Sequence, residues 1–176
     1  MRLDIGRLKF LVVDDNTHMR HIVRGLLHGL GSRTVYEAED GAGGLEALQN
    51  RAPDILIVDC PMPVLDGIEL VRMIRRPHFR FNPLIPVIML TGYPERQRVL
   101  QALEAGVDEI LCKPISAKAL HDRILSVVRY RRAFVQSKDY LGPDRPVRTD
   151  SGNSGEIEAY LADRRQAERV RGATPA

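Results

Sequence analysis

The feature that most constrains the fold of this chain is a fivefold repeat of a short apolar run followed by a segment with helical periodicity. The first run is Phe10-Leu11-Val12-Val13, and after it the apolar side chains from Met19 to Leu30 recur every three or four residues. The five runs cover residues 10–13, 34–38, 55–58, 86–90 and 109–112. Strands and helices that alternate in this way predict an α/β fold, in which helices cover both faces of a parallel sheet.

Polar side chains stand where four of the five predicted strands end. Asp14 and Asp15 follow the first strand, Asp59 follows the third, Thr91 the fourth and Lys113 the fifth. In parallel sheets of this kind ligands bind beyond the carboxyl ends of the strands, where the strand order switches. We therefore expect these side chains to meet at one edge of the sheet.

The residue types at this edge indicate a specific chemistry. Three carboxylates repel one another unless a cation lies between them, and an open site of oxygen ligands suits Mg²⁺. A carboxylate is also a competent nucleophile toward phosphorus, while a lysine and a hydroxyl group can bind phosphoryl oxygens. Taken singly, each residue is more simply a helix cap, a turn residue or a solvated charge. Together they favour a phosphoryl-transfer site.

Five sequence blocks carry a resemblance to a known family. They are VVDDN at 12–16, DCPMPVLDG at 59–67, PVIMLTG at 86–92, AGVD at 105–108 and KP at 113–114. In this order and spacing the chain resembles the receiver domain of two-component response regulators, and its opening resembles the stand-alone, chemotaxis-type receivers. The resemblance implies a doubly wound, flavodoxin-like sheet of five parallel strands in the order 2-1-3-4-5.

The resemblance also implies the ligands of a magnesium ion. Asp15 and Asp59 would coordinate Mg²⁺ directly, Asp14 would act through water, and the backbone carbonyl of Pro61 would be a further ligand. Asp59 would be the phosphoacceptor, taking its phosphoryl group from a phosphohistidine on a histidine kinase or a histidine phosphotransfer protein.

The resemblance also implies roles for Lys113 and Thr91, while a third residue, Ile110, departs from the family pattern. Lys113 would pair with Asp59 and later with a phosphoryl oxygen, and Thr91 would move to hydrogen-bond the phosphoryl group. The Lys113-Pro114 peptide is commonly cis in the family. Ile110 stands where many receivers carry an aromatic residue that turns inward on phosphorylation, so the readout here is expected to use another route.

The resemblance implies a cytoplasmic phosphoprotein that binds a downstream protein when phosphorylated. Its chemistry would be limited to Mg²⁺-dependent self-phosphorylation and autodephosphorylation, so we do not expect an enzyme in the wider sense. A phosphotransfer carrier or phosphate sink in a phosphorelay is the alternative, and a homodimer is left open. Nucleic-acid binding through an arginine-rich tail is the third hypothesis.

The charge distribution separates a receiver from a tail. Residues 1–128 hold 16 basic and 16 acidic residues, whereas residues 129–176 hold 10 and 7, so the whole net charge of +3 lies in the latter. We predict a receiver domain over 8–132 and a tail over 133–176, partly disordered, with a short helix at 156–171. The tail is too short for the core of a DNA-binding domain, and its seven acidic residues argue against the nucleic-acid hypothesis. No apolar run approaches the roughly 20 residues of a membrane span.

Overall fold

The computed structural model describes residues 4–76, 82–92, 95–138 and 140–144. A 3-10 turn at Ile5–Arg7 precedes the first strand. The strands are β1 (Lys9–Val13), β2 (Thr34–Ala38), β3 (Ile55–Cys60), β4 (Val87–Thr91), β5 (Glu109–Cys112), β6 (Phe134–Gln136) and β7 (Leu141–Pro143). The helices are α1 (Thr17–Gly29), α2 (Gly41–Arg51), α3 (Gly67–Ile74), α4 (Arg96–Ala105) and α5 (Ala117–Arg129).

The first five strands form a parallel sheet in the order β2-β1-β3-β4-β5, which confirms the predicted topology. The register aligns Val13 with Val58 between β1 and β3, and Cys60 with Thr91 between β3 and β4. The sheet order reverses between β1 and β3, so the residues that follow these two strands flank the crevice where ligands bind in such sheets.

Two apolar cores lie on opposite faces of the sheet. Because side chains alternate along a strand, Leu11 and Val13 join one core while Phe10 and Val12 join the other. The first core packs under α2, α3 and α4, and the second under α1 and α5. With both faces covered, the central strands are buried throughout, which explains why their sequences are continuous apolar runs.

Polar side chains begin most of the helices that carry the site. Asn16 accepts hydrogen bonds from the backbone N–H groups of His18 and Met19, and so caps α1 beside the acidic pair. Ser116 caps α5 by accepting a hydrogen bond from the backbone N–H of Ala119. The fourth helix, α4, begins at Arg96.

The third helix ends at Ile74. Arg75 is its C-cap, and the side chain turns inward and is almost fully buried. Its guanidinium donates hydrogen bonds to the carbonyl oxygens of Gly106, Pro83 and Ile85. These bonds join the loop before β4 to the loop before β5, at the end of the sheet opposite the acidic residues.

A short antiparallel hairpin of β6 and β7 follows α5. The ring of Phe134 lies between two guanidinium groups, with its centroid 5.1 Å from Cζ of Arg75 and 4.2 Å from Cζ of Arg131. The boundary predicted after residue 132 stays a prediction, and the predicted helix at 156–171 lies outside the described residues. Within the described part of the chain, every helix is too short or too polar to cross a membrane.

Candidate functional site

Three carboxylates converge at the carboxyl ends of β1 and β3. Oxygen atoms of Asp14, Asp15 and Asp59 all lie within 4.8 Å of one another. Asp14 is completely buried and Asp59 is 5% exposed, whereas Asp15 faces solvent. The adjacency of β1 and β3 in the sheet brings these residues together, although 44 positions separate Asp15 from Asp59 in the sequence.

Lys113 supplies the positive charge of the cluster. Its Nζ lies 2.6 Å from Oδ1 of Asp59 and 3.4 Å from Oδ2 of Asp14. The contact with Asp59 is a short ion pair. The backbone N–H of Lys113 donates to the carbonyl of Thr91 at 2.8 Å, which fixes the lysine directly after β5. The Lys113-Pro114 peptide is cis, as the resemblance implies.

The charges of the cluster perturb one another. Burial raises the pKa of Asp59, and the negative charge of Asp14 adds to this effect while Lys113 opposes it. Burial disfavours the charged form of Lys113, but the carboxylates of Asp59 and Asp14 outweigh burial and raise its pKa. The ammonium therefore stays protonated, and the nucleophilic candidate is a carboxylate whose ionised form is poorly solvated.

The donor set of this cluster fits a magnesium ion. All three side chains offer hard oxygen ligands, and Oδ1 of Asp59 is buried against the ammonium of Lys113. Asp15 leaves one side of the cluster open to solvent, as a Mg²⁺ that keeps several waters requires. Pro61 follows Asp59 by two residues, after a cis Cys60-Pro61 peptide.

Thr91 lies at the end of β4, directly across from Cys60 in the register, and is 8% exposed. The sheet therefore places the hydroxyl candidate beside the strand that carries Asp59. Thr91 also lines a small crevice beneath α4, together with Arg98 and Ile110.

One functional candidate was missed in the sequence. Arg98 on α4 pairs with Asp66 at 2.9 Å, and the other oxygen of Asp66 accepts a hydrogen bond from the thiol of Cys60 at 3.2 Å. Burial and the hydrogen bond to Asp66 raise the pKa of Cys60 to about 12, so the thiol remains protonated. The only sequence signal for Arg98 is its place in the first turn of α4.

The raised pKa of Asp59 predicts a stability change in the metal-free protein. A carboxyl group with a raised folded-state pKa stabilises the fold below its unfolded pKa, and this contribution is lost as the pH rises through the folded pKa. We therefore expect Asp59→Asn to raise the melting temperature at neutral pH, and the gain to shrink toward about pH 4. Thermal melts of both proteins with a chelator present measure this. A difference that stays constant with pH would contradict it.

The receiver family model matches residues 10–125, which is about two thirds of the chain and spans every element from β1 to most of α5. The chain belongs to the response regulator receiver family.

Curated relatives of this receiver include two chemotaxis proteins. The chemotaxis protein CheY of Pseudomonas aeruginosa is 38% identical over 117 residues, which cover 66% of this chain and 93% of the relative. CheY-3 of Vibrio cholerae is 35% identical over 117 residues, covering 66% of this chain and 88% of the relative.

Solved structures share the fold of this chain. The structure of CheY4 of Vibrio cholerae superposes with a TM-score of 0.62 at 30% identity, covering 69% of this chain and 98% of that one. The receiver domain of the sensor histidine kinase PA1611 of Pseudomonas aeruginosa superposes with a TM-score of 0.60 at 30% identity, covering 68% of this chain and 94% of that one. That receiver domain holds a magnesium ion coordinated in its active-site cleft.

Proposed function

We propose that this receiver is phosphorylated on Asp59 and acts through phosphorylation-dependent binding of another protein. The observation that carries the proposal is the position of Lys113, whose ammonium contacts Asp59 at 2.6 Å and Asp14 at 3.4 Å. A lysine in this position contacts both Asp14 and the Asp59 carboxylate that would take the phosphoryl group. We assign this activity to residues 8–132.

In the proposed magnesium site Asp15 and Asp59 bind the ion directly, Asp14 acts through water, and the backbone carbonyl of Pro61 is a further ligand. Family membership, the hard oxygen donors and the open side at Asp15 support this assignment. When bound, Mg²⁺ would neutralise the charge of the carboxylates and of the incoming phosphoryl group.

The side chains of this site have separate roles in the proposed transfer. A carboxylate oxygen of Asp59 forms a bond to phosphorus as the bond from phosphorus to the donor histidine breaks, and the imidazole leaves with its electron pair. Lys113 moves from the free carboxylate to a phosphoryl oxygen, and Thr91 donates its hydroxyl hydrogen to another. Water later attacks phosphorus, the bond from phosphorus to the carboxylate oxygen breaks, and inorganic phosphate leaves as the Asp59 carboxylate is restored.

The partners follow from this chemistry. A histidine kinase or histidine phosphotransfer protein would supply the phosphoryl group, and a downstream protein would read the phosphorylated form. The receiver would work in the cytoplasm and through no chemistry beyond its own phosphorylation and dephosphorylation. The described residues hold a receiver and a short hairpin, which supports output by protein binding.

Intact mass spectrometry after incubation with Mg²⁺ and a small acyl phosphate tests the proposal. We expect a mass increase of one phosphoryl group on the full chain and none on Asp59→Ala. Asp122→Ala is the matched control, because it removes a carboxylate from α5 that pairs with Lys118 away from the cluster. The proposal is wrong if the wild type takes up no phosphoryl group or if Asp59→Ala takes up as much.

A further inference from the structure

The carboxylate of Asp66 joins three elements around the acidic cluster. Oδ1 accepts hydrogen bonds from the Cys60 thiol on β3 at 3.2 Å and from the backbone N–H of Ile68 at 3.1 Å, which caps α3. Oδ2 pairs with Arg98 on α4 at 2.9 Å. One side chain therefore connects the strand of Asp59 to α3 and α4.

This carboxylate is mechanically close to Asp59. Cys60 is the next residue in the chain, and Gly67 packs so tightly under the backbone carbonyl of Asp59 that an added Cβ would overlap that oxygen. A shift of the Asp59 backbone must therefore displace Asp66 and Gly67 as well. Close packing transmits such shifts because the interior has no free space to absorb them.

The start of α4 is joined to the loop after β3 by the Arg98–Asp66 ion pair. Its N-cap residue, Glu95, makes no side-chain capping hydrogen bond. Beneath the first turn lies the small crevice lined by Thr91, Arg98 and Ile110. Ile110 is aliphatic, so this crevice contains no aromatic ring at residue 110 that could turn inward and report movement of Thr91.

We propose that the Arg98–Asp66 ion pair is the latch through which the phosphorylation state of Asp59 controls the position of α4. In the unphosphorylated receiver the pair holds the first turn of α4 against the loop after β3. Phosphorylation adds negative charge to Asp59 and draws Thr91 toward it, which shifts the Cys60–Asp66 link and releases Arg98. The inference rests on the proposed phosphorylation of Asp59 and adds a positioning role for Arg98 and Asp66.

Hydrogen exchange of the α4 amides, with and without Mg²⁺ and a beryllofluoride phosphoryl mimic, tests the latch on the full chain. In the wild type the mimic should accelerate exchange in the first turn of α4. Without the mimic, Arg98→Ala and Asp66→Asn should already exchange roughly two- to fivefold faster than the wild type, as expected for a half-exposed ion pair. In these two variants the mimic should then accelerate exchange in the first turn of α4 only slightly further. Asp66→Asn keeps an oxygen that can cap α3, so this variant removes the charge and not the cap.

Two control variants separate the latch from general destabilisation. Arg72→Ala removes an exposed arginine from neighbouring α3 and should behave as the wild type does. Arg98→Lys retains a cation for Asp66 and should restore most of the response to the mimic.

The outcomes distinguish this inference from the proposed function. The latch is overturned if the receiver takes up a phosphoryl group but the mimic changes α4 hydrogen exchange equally in Arg98→Ala and Arg72→Ala. That result would leave the phosphorylation of Asp59 intact. Absence of phosphoryl uptake by the wild type would overturn both. Uptake by all variants, with the α4 response lost in Arg98→Ala and Asp66→Asn, supports the latch.

Discussion

Replacing Asp108 by alanine is expected to lower the free energy of unfolding by about 3–5 kcal/mol, the usual cost of leaving one partner of a buried ion pair alone. Asp108 and Arg75 are each 4% exposed, and Nη2 of Arg75 lies 3.1 Å from Oδ2 of Asp108. The same carboxylate accepts hydrogen bonds from the backbone N–H of Val87 at 2.9 Å and from Nε of Arg131 at 2.6 Å. Truncation would leave all three donors without this acceptor.

The electrostatics of Arg75 explain why the loss should be large. Burial lowers the pKa of Arg75 to about 10, and the negative charge of Asp108 opposes that shift. The guanidinium remains charged near neutral pH, so removal of Asp108 leaves a buried cation with carbonyl dipoles as its remaining acceptors. For a domain of this size the loss is a large share of a total stability of about 5–15 kcal/mol.

Equilibrium denaturation in urea measures this effect. Asp122→Ala provides a matched control, since Asp122 forms an exposed i,i+4 pair with Lys118 and its removal should cost at most about 1 kcal/mol. Asp108→Ala should also expose the hairpin of β6 and β7 to proteolysis, because Arg131 stacks on Phe134 and is held by Asp108. Equal losses of stability in the two variants would show that Asp108 does not carry this buried network.

Lys113→Ala is expected to slow phosphoryl transfer to Asp59 by a factor of about 10²–10³, the usual cost of removing one charge-stabilising donor. The ammonium lies 2.6 Å from Asp59, so it is positioned to follow the phosphoryl group as negative charge develops on its oxygens. Lys9→Ala is the control, because Lys9 begins β1 at the opposite edge of the sheet. The rate of phosphoadduct formation at saturating Mg²⁺ measures the effect.

A second measurement on Lys113→Ala separates chemistry from folding. Without the ammonium, buried Asp14 and Asp59 face each other with less compensation, so the metal-free variant should be less stable than the wild type. Added Mg²⁺ should then raise its melting temperature by more than it raises that of the wild type. A variant with wild-type transfer rates would show that Lys113 is a structural counter-ion alone.

Much of the fold could be predicted from the sequence because its signals are local. Apolar runs such as Phe10–Val13 and Ile55–Val58 are too short for helices and too apolar for an exposed strand, so they predict buried parallel strands. Local caps were also predictable, since Asn16 and Ser116 lie directly before helical periodicity.

The membership of the acidic cluster was predictable for a related reason. In a parallel sheet the carboxyl ends of all strands lie at one edge, so Asp15, Asp59 and Lys113 must approach one another once the strands are assigned. The structure adds the contacts, which the sequence does not contain. Lys113 reaches both Asp59 and Asp14, and Asp14 is fully buried while Asp15 faces solvent.

The sequence by itself determined the order of the elements and which polar residues end the strands, because both depend on patterns within a few residues. Tertiary structure alone decided the pairings of Arg98 with Asp66 and of Arg75 with Asp108, which lie 32 and 33 residues apart. It also decided that Phe134 packs between Arg75 and Arg131. The partner of a long charged side chain depends on how distant helices and strands pack, because burial penalises every charge without a counter-charge.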